Sequence, residues 1–166
     1  MKSKNNIIFY MKCLLKYCIL FFIGIFAYLP LHFIREDKYP FMIYIGGIIF
    51  VITSIANSWF SFNSWGKELI WEGLLITVLI CMVEIWVGFA DTMFLKLDMW
   101  TYASRPLSAY NDKTCLLAFS IWNWYVLMAI ITSDIIDYYY IKKYDKNNPP
   151  CYSFLRDKIF ILKERK

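Results

Sequence analysis

The chain has 166 residues, 60% hydrophobic and 20% aromatic, with a formal net charge of +5 and a mean hydropathy of +0.46. A soluble domain runs nearer ~45–50% apolar even with glycine counted, and here the excess falls in four blocks, which predicts an all-α polytopic membrane protein rather than a soluble globule. The charge does not imply nucleic acid: 11 of the 18 basic residues flank the first and fourth blocks, where a basic segment beside anionic lipid accounts for them.

The first block runs from Cys13 to Ile34, long enough for a ~30 Å hydrocarbon core, which needs ~20 apolar residues. Lys16 lies near its start, where its head can snorkel to the interface, and Pro30 near its far end, where a kink is tolerable. The block exceeds the ~7–15 residues of a signal-peptide core, and Tyr28, Pro30 and His32 form no small-residue cleavage site, so it is expected to remain as a span. The second block runs from Pro40 to Phe60. In it Gly46 and Gly47 permit close helix approach, and Thr53, Ser54, Asn57 and Ser58 can bond across helices.

The third block runs from Leu69 to Phe94, with Glu72 near one end, Glu84 inside and Asp91 near the other. Glu72 reads as interfacial. The fourth runs from Cys115 to Tyr140, includes Asn123 between two tryptophans, and closes on Asp134, Asp137 and three tyrosines that suit an interfacial belt. After Pro149 and Pro150, Tyr152, Leu155, Ile159 and Leu162 recur at helical spacing among Arg156, Lys158 and Lys163. This predicts a basic tail over 141–166 carrying an amphipathic surface helix.

Basic residues favour the cytoplasmic side. Lys2, Lys4 and Lys12 precede the first span, and eight lysines and arginines from Lys142 to Lys166 follow the fourth. Both tails are therefore expected in the cytoplasm, which agrees with an even number of spans in the cell membrane. Cys13, Cys18, Cys81 and Cys115 lie in or beside apolar blocks and Cys151 in the tail, with no CxxC pair, so they read as small hydrophobes. One histidine makes a zinc site of His and Cys improbable. Trp65-Gly66-Lys67-Glu68 lacks the earlier glycine and the following Ser or Thr of a phosphate-binding loop, and no GxSxG or Ser/His/Asp set is apparent. The expectation is a protein with no cofactor, no metal and no enzymatic activity of its own.

An ionisable group inside a span costs roughly 2.5–3.5 kcal/mol on insertion scales, so Glu84 is a functional candidate. Glu84, Gly88 and Asp91 share one helical face, with Gly88 removing bulk beside the acid so that a helix, a water or a small ligand could approach. Glu84 lies ~22 Å along the span at 1.5 Å per residue, in its outer half. Either it orders the bundle by pairing with a tyrosine, asparagine or arginine, or it handles a cation, a proton or a polar substrate group. A charged partner would have to reach in from a loop, and Arg105 and Lys113 are the candidates. The third loop holds Trp100, Tyr102, Arg105, Pro106 and Tyr110. It reads either as an interfacial turn held by aromatics or as one wall of an outward-facing pocket closed over Glu84.

The pattern Glu84-x-x-x-Gly88, Trp100-Thr-Tyr102-Ala-Ser-Arg105-Pro106 and Cys115-Leu116-x-x-x-Ser120-x-Trp122 resembles the bacterial family described as ABC-transporter type IV, small polytopic membrane proteins. The family pattern is Glu-x-x-x-Gly in one span, then Trp-Asp-Tyr-Ser-x-x-Pro, then Asn-x-x-Gly-x-x-Cys-Leu opening the next span. Thr101 and Ala103 replace its Asp and Ser, and Asn111-Asp112 alters its Asn-Gly stretch. The likeness covers roughly Thr77 to Trp124. It implies a permease-like, transport-related subunit of unknown substrate, with Glu84, Gly88, Asp91, Trp100, Tyr102, Arg105 and Pro106 as substrate-binding candidates. A separate ATPase, another membrane subunit or a second copy would be the partner in the bilayer. The other reading of the small size and basic tail is an accessory or immunity-type protein acting by helix–helix contacts.

Overall fold

A computed structural model of the chain describes residues 2–35, 37–59, 66–110, 112–142, 149–154 and 157–161. Four helices dominate: α1 (Lys2–Arg35), α2 (Ile43–Trp59, entered through a 3-10 turn at Pro40–Met42), α3 (Leu69–Ala90) and α4 (Leu116–Ile136). Segments Asn6–His32, Pro40–Trp59, Leu69–Leu95 and Leu116–Ile141 are each long and apolar enough to cross a membrane. These coincide with the four expected blocks, except that α1 begins well before Cys13.

Among the described residues there are also five short strands: β1 (Gly66–Glu68), β2 (Ser108–Ala109), β3 (Thr114–Cys115), β4 (Cys151–Phe154) and β5 (Asp157–Ile161). β2 and β3 form a small hairpin between α3 and α4. β1 pairs in parallel with β4, and β4 antiparallel with β5. The expected surface helix after Pro150 is therefore replaced by a strand pair. Its apparent helical period is overridden by β-prone Tyr152, Phe154, Ile159 and Phe160 and by pairing with a strand more than eighty residues away, which local spacing does not encode. Leu155, Arg156, Leu162 and Lys163 lie outside the described residues.

The helices alternate in direction. The Lys38 N–H donates to the Met99 carbonyl at 3.0 Å, joining the first and third loops at one end, here the loop end. The β1–β4 pair joins the second loop to the C-terminal segment at the other, the tail end. There Lys12 lies 5.7 Å from the Tyr140 ring centroid. α1 and α2 pack backbone to backbone, since a Cβ on Gly24 would lie 2.6 Å from the Gly46 carbonyl oxygen. An aromatic core of Tyr28, Phe50, Trp122 and Tyr125 fills the centre. Val78, Leu79, Met82, Val83 and Trp86 of α3 are exposed on the outer face of the bundle.

Two expected interfacial charges lie inside the bundle. Lys16 does not snorkel: it is buried and donates to Asp137 Oδ1 at 2.7 Å. Glu72 is 7% exposed and shares the inward face of α3 with Gly73, Ile76 and Thr77. α3 and α4 end alike, in five-residue π-helical turns, Asp91–Leu95 and Asp137–Ile141. Each turn begins with a buried aspartate and is closed by a left-handed lysine, Lys96 or Lys142, whose N–H returns to that aspartate's carbonyl.

Candidate functional site

Glu84 occupies the inward face of α3 one turn beyond Cys81, and only 6% of it is exposed. The third loop folds back over it. Tyr102, fully buried, donates its hydroxyl to Glu84 Oε1 at 3.1 Å. From α4, the Trp122 indole N–H donates to Oε2 at 3.3 Å. An indole nitrogen can only donate, so Oε2 is an acceptor in any protonation state of the acid. The loop is tied at this depth by the Tyr102 N–H, which bonds the Asp112 carbonyl in the turn of the β2–β3 hairpin at 2.8 Å. Cys115, at the hairpin's end, caps α4 by accepting the Ala118 N–H on its sulfur at 3.2 Å.

Asp91 does not join Glu84 in one site. Its carboxylate gathers the N–H groups of Leu97, Asp98 and Met99 at 3.1, 3.2 and 2.8 Å, turning the chain out of α3. Lys113, 5% exposed, stands 3.8 Å from Asp91 Oδ2. Its ammonium also donates to Asp98 Oδ1 and to the Trp100 carbonyl, both at 2.8 Å. The Lys113 ammonium lies 5.4 Å from the Trp100 ring centroid, and the Trp100 indole donates to the Lys113 carbonyl at 3.1 Å. Lys113 is thus committed to Asp98, Asp91 and Trp100 and is not the charged partner expected for Glu84. Lys38 also bonds Asp98. The Lys113 ammonium, followed by that of Lys38, holds the Asp98 carboxyl down at about 2.

Gly88 accommodates protein rather than a ligand. A Cβ there would lie 2.9 Å from both Cβ and Cγ of Lys113, so the glycine exists to let the lysine stem cross α3. Gly88→Ala should therefore displace Lys113 from its carboxylates and cost ~1–3 kcal/mol, the usual range for overpacking. The check is the thermal unfolding midpoint in detergent. An unchanged midpoint would show that the Lys113 stem moves freely. A cleft of about 220 Å³ adjoins this contact, bordered by Gly88, Phe89, Thr92, Met93, Tyr110 and Lys113 and not by Glu84.

Arg105 is half-buried, and its N–H bonds the Tyr102 carbonyl at 2.8 Å in a tight turn, with Pro106 exposed beside it. Of the expected site residues, the structure brings Tyr102 to Glu84, and gathers Asp91, Trp100 and Gly88 around Lys113. Trp122 was missed as a partner of Glu84, although it is the last residue of the resemblance pattern.

A second polar cluster lies at the tail end, where Asn57 and Ser54 bond across helices as expected, to α4 partners that were not foreseen. Asp134, fully buried, accepts from Asn57 Nδ2 at 2.9 Å and from the Tyr152 hydroxyl at 2.9 Å. One turn away, the Ser54 and Ser133 hydroxyls bond at 2.7 Å. Among the described residues no group of three or more His, Cys, Asp and Glu side chains is placed to hold a metal ion. No protein-family model, curated protein or solved structure matches this chain.

Proposed function

We propose that this chain is a multi-pass protein of the cell membrane, related to the ABC-transporter type IV proteins, with both tails in the cytoplasm and a transport-related role centred on Glu84. One observation carries the reading: the separated parts of the resemblance pattern converge in space. Glu84 from the third helix, Tyr102 from the loop and Trp122 from the fourth helix meet at 3.1 and 3.3 Å, and Gly88 carries the Lys113 stem that braces the same loop. A buried acid held by a closable loop is the arrangement expected where a proton, cation or polar group is bound and released. Energy would come from ion coupling or from a separate ATPase subunit.

The experiment is reconstitution in sealed vesicles containing a pH-sensitive dye, with a second set reading capacitive current after a cation jump. Wild-type protein should give a proton or cation signal, and Glu84→Gln, which keeps size and hydrogen bonding but cannot ionise, should abolish it with the fold intact. An undiminished signal in Glu84→Gln, or none in wild type, removes the reading. Orientation is tested separately with a cysteine placed at exposed Lys142 on a cysteine-free background. An impermeant thiol reagent should reach it in inverted vesicles but not in intact cells, and labelling of intact cells would reverse the topology.

One observation favours the accessory reading. One run of α1 is apolar and exposed, with Ile7, Ile8, Phe9, Tyr10 and Met11 between 46% and 69% accessible. A partner helix there would co-purify in mild detergent and be lost on Tyr10→Lys.

A further inference from the structure

The cleft beside Gly88 has an apolar wall made partly from polar residues. Ile85, Phe89 and Met93 recur every four residues along one stripe of α3 and line it. Thr92 also lines it, but its hydroxyl donates to the Gly88 carbonyl at 2.9 Å. Lys113 lines it too, and its ammonium is held by Asp98 and the Trp100 carbonyl while its stem lies against Gly88. Two groups that could recognise a polar ligand are therefore already engaged. A polar ligand seated against this wall would leave its own donors and acceptors unpaired, at a cost.

The lip of the cleft is Tyr110, whose backbone is left-handed at φ 55°. That conformation is unusual for a bulky residue, and strained backbone of this kind gathers at ligand clamps. The Tyr110 side is open, with Tyr110 69%, Phe89 53% and Met93 56% exposed. The α3 part of the cleft lies in the last turns of Leu69–Leu95, a segment apolar enough to cross a membrane. Its exposed residues continue the outer face that carries Val83 and Trp86. In the membrane proposed above, the medium beside it is hydrocarbon.

Size narrows the occupant further. An apolar cavity of roughly 150 Å³ takes one benzene-sized hydrocarbon, so about 220 Å³ takes a stretch of alkyl chain. Pockets for drug-sized ligands run to ~300–1,000 Å³. A partner helix is ~10–12 Å across with its side chains, too wide to enter.

We infer that this cleft seats one acyl chain of a membrane lipid, between α3 and Tyr110. The chain packs on the Lys113 stem, and so backs the residue that ties the third loop to Asp91 and Asp98. The inference rests on the membrane reading above and needs no transport.

The test is lipid retention by the full chain, taken from phosphatidylcholine vesicles into mild detergent and weighed by native mass spectrometry. Wild type should keep one phosphatidylcholine per chain. Met93→Trp fills the cleft and should lower that occupancy about tenfold, the ratio expected when two methylenes lose their burial. Met82→Trp is the matched control, since Met82 is 55% exposed on the same helix and does not line the cleft. It should retain lipid as wild type does. Tyr110→Gly removes the lip and takes the left-handed backbone without strain, so it should lose the lipid with its unfolding midpoint preserved, even where Met93→Trp folds poorly. Phosphatidylglycerol should be retained equally, because the wall reads the chain and not the headgroup. Bare wild type, undiminished retention in either folded cleft variant, or equal loss in Met82→Trp overturns the inference. So does retention that follows the headgroup, or a two-chain mass that Met93→Trp splits, which would put a second copy in the cleft. Retention is read without any transported ion, so a silent vesicle assay would remove the transport reading and leave the lipid site standing.

Discussion

Lys16→Met is expected to lose ~3–5 kcal/mol, the cost of breaking a buried pair by removing one partner. The Lys16 ammonium and Asp137 carboxylate meet at 2.7 Å, with side chains 6% and 7% exposed. Surface pairs are worth only ~0–1 kcal/mol because water screens them and long side chains must be ordered. Here water is excluded on both sides, so the leftover carboxylate of Asp137 would keep its desolvation cost without its cation. The pair also ties the first helix to the end of the fourth, next to the Lys12–Tyr140 contact, so the single variant should loosen both.

The double variant Lys16→Met/Asp137→Leu separates the pair's net worth from the penalty of an orphan charge. Apolar replacement of a buried pair is commonly neutral or stabilising by ~1–4 kcal/mol, so the double variant should return to wild-type stability or exceed it. The measurement is the unfolding midpoint of all three proteins in one detergent. A single variant within ~1 kcal/mol of wild type would mean that the pair behaves as a solvated one.

The positions of the helices were legible in the sequence because span length and hydropathy are summed over some twenty residues and tolerate local error. The expected block from Leu69 to Phe94 differs by one residue from the observed Leu69–Leu95. The faces of those helices were not legible. α3 is apolar nearly all round, and a helix without an amphipathic stripe does not announce which side is inward. Glu72 and Lys16 were consequently placed at the interface by their distance from the span ends, when each faces the interior. The loop folding back on Glu84 was foreseen as an alternative, from the aromatic residues and Pro106, and a tyrosine was among the expected partners of the acid, but Trp122 was not. Lys113 was a candidate for Glu84 and serves Asp91 and Asp98 instead, because Gly88 lets its stem cross α3 one turn nearer the loop. The tail hairpin depends on β1, and its Tyr152 on Asp134, which are tertiary facts with no local signal.

Glu84→Leu should be the most damaging single change at the loop end. Leucine satisfies a lipid environment and removes the buried acid, so on insertion cost alone it would stabilise the chain. The geometry predicts the opposite sign. The Trp122 indole N–H would lose its acceptor and the buried Tyr102 hydroxyl one of its bonds, each orphan costing ~1–3 kcal/mol. The Tyr102 strap would also lose its anchor, so protease should begin to cut the loop after Arg105 in sealed cells. Glu84→Gln should differ sharply. Its amide oxygen accepts from Trp122, and its NH₂ can donate to the Tyr102 oxygen, which accepts as well as donates. Stability should therefore stay within ~1 kcal/mol of wild type, the scale of one exchanged hydrogen bond. Comparing midpoints and loop cleavage for the two variants decides whether Glu84 holds the loop. If Glu84→Leu is as stable and as resistant to protease as wild type, the bonds to Tyr102 and Trp122 contribute nothing, and the closed loop must be held by the Asp91–Lys113–Asp98 cluster alone.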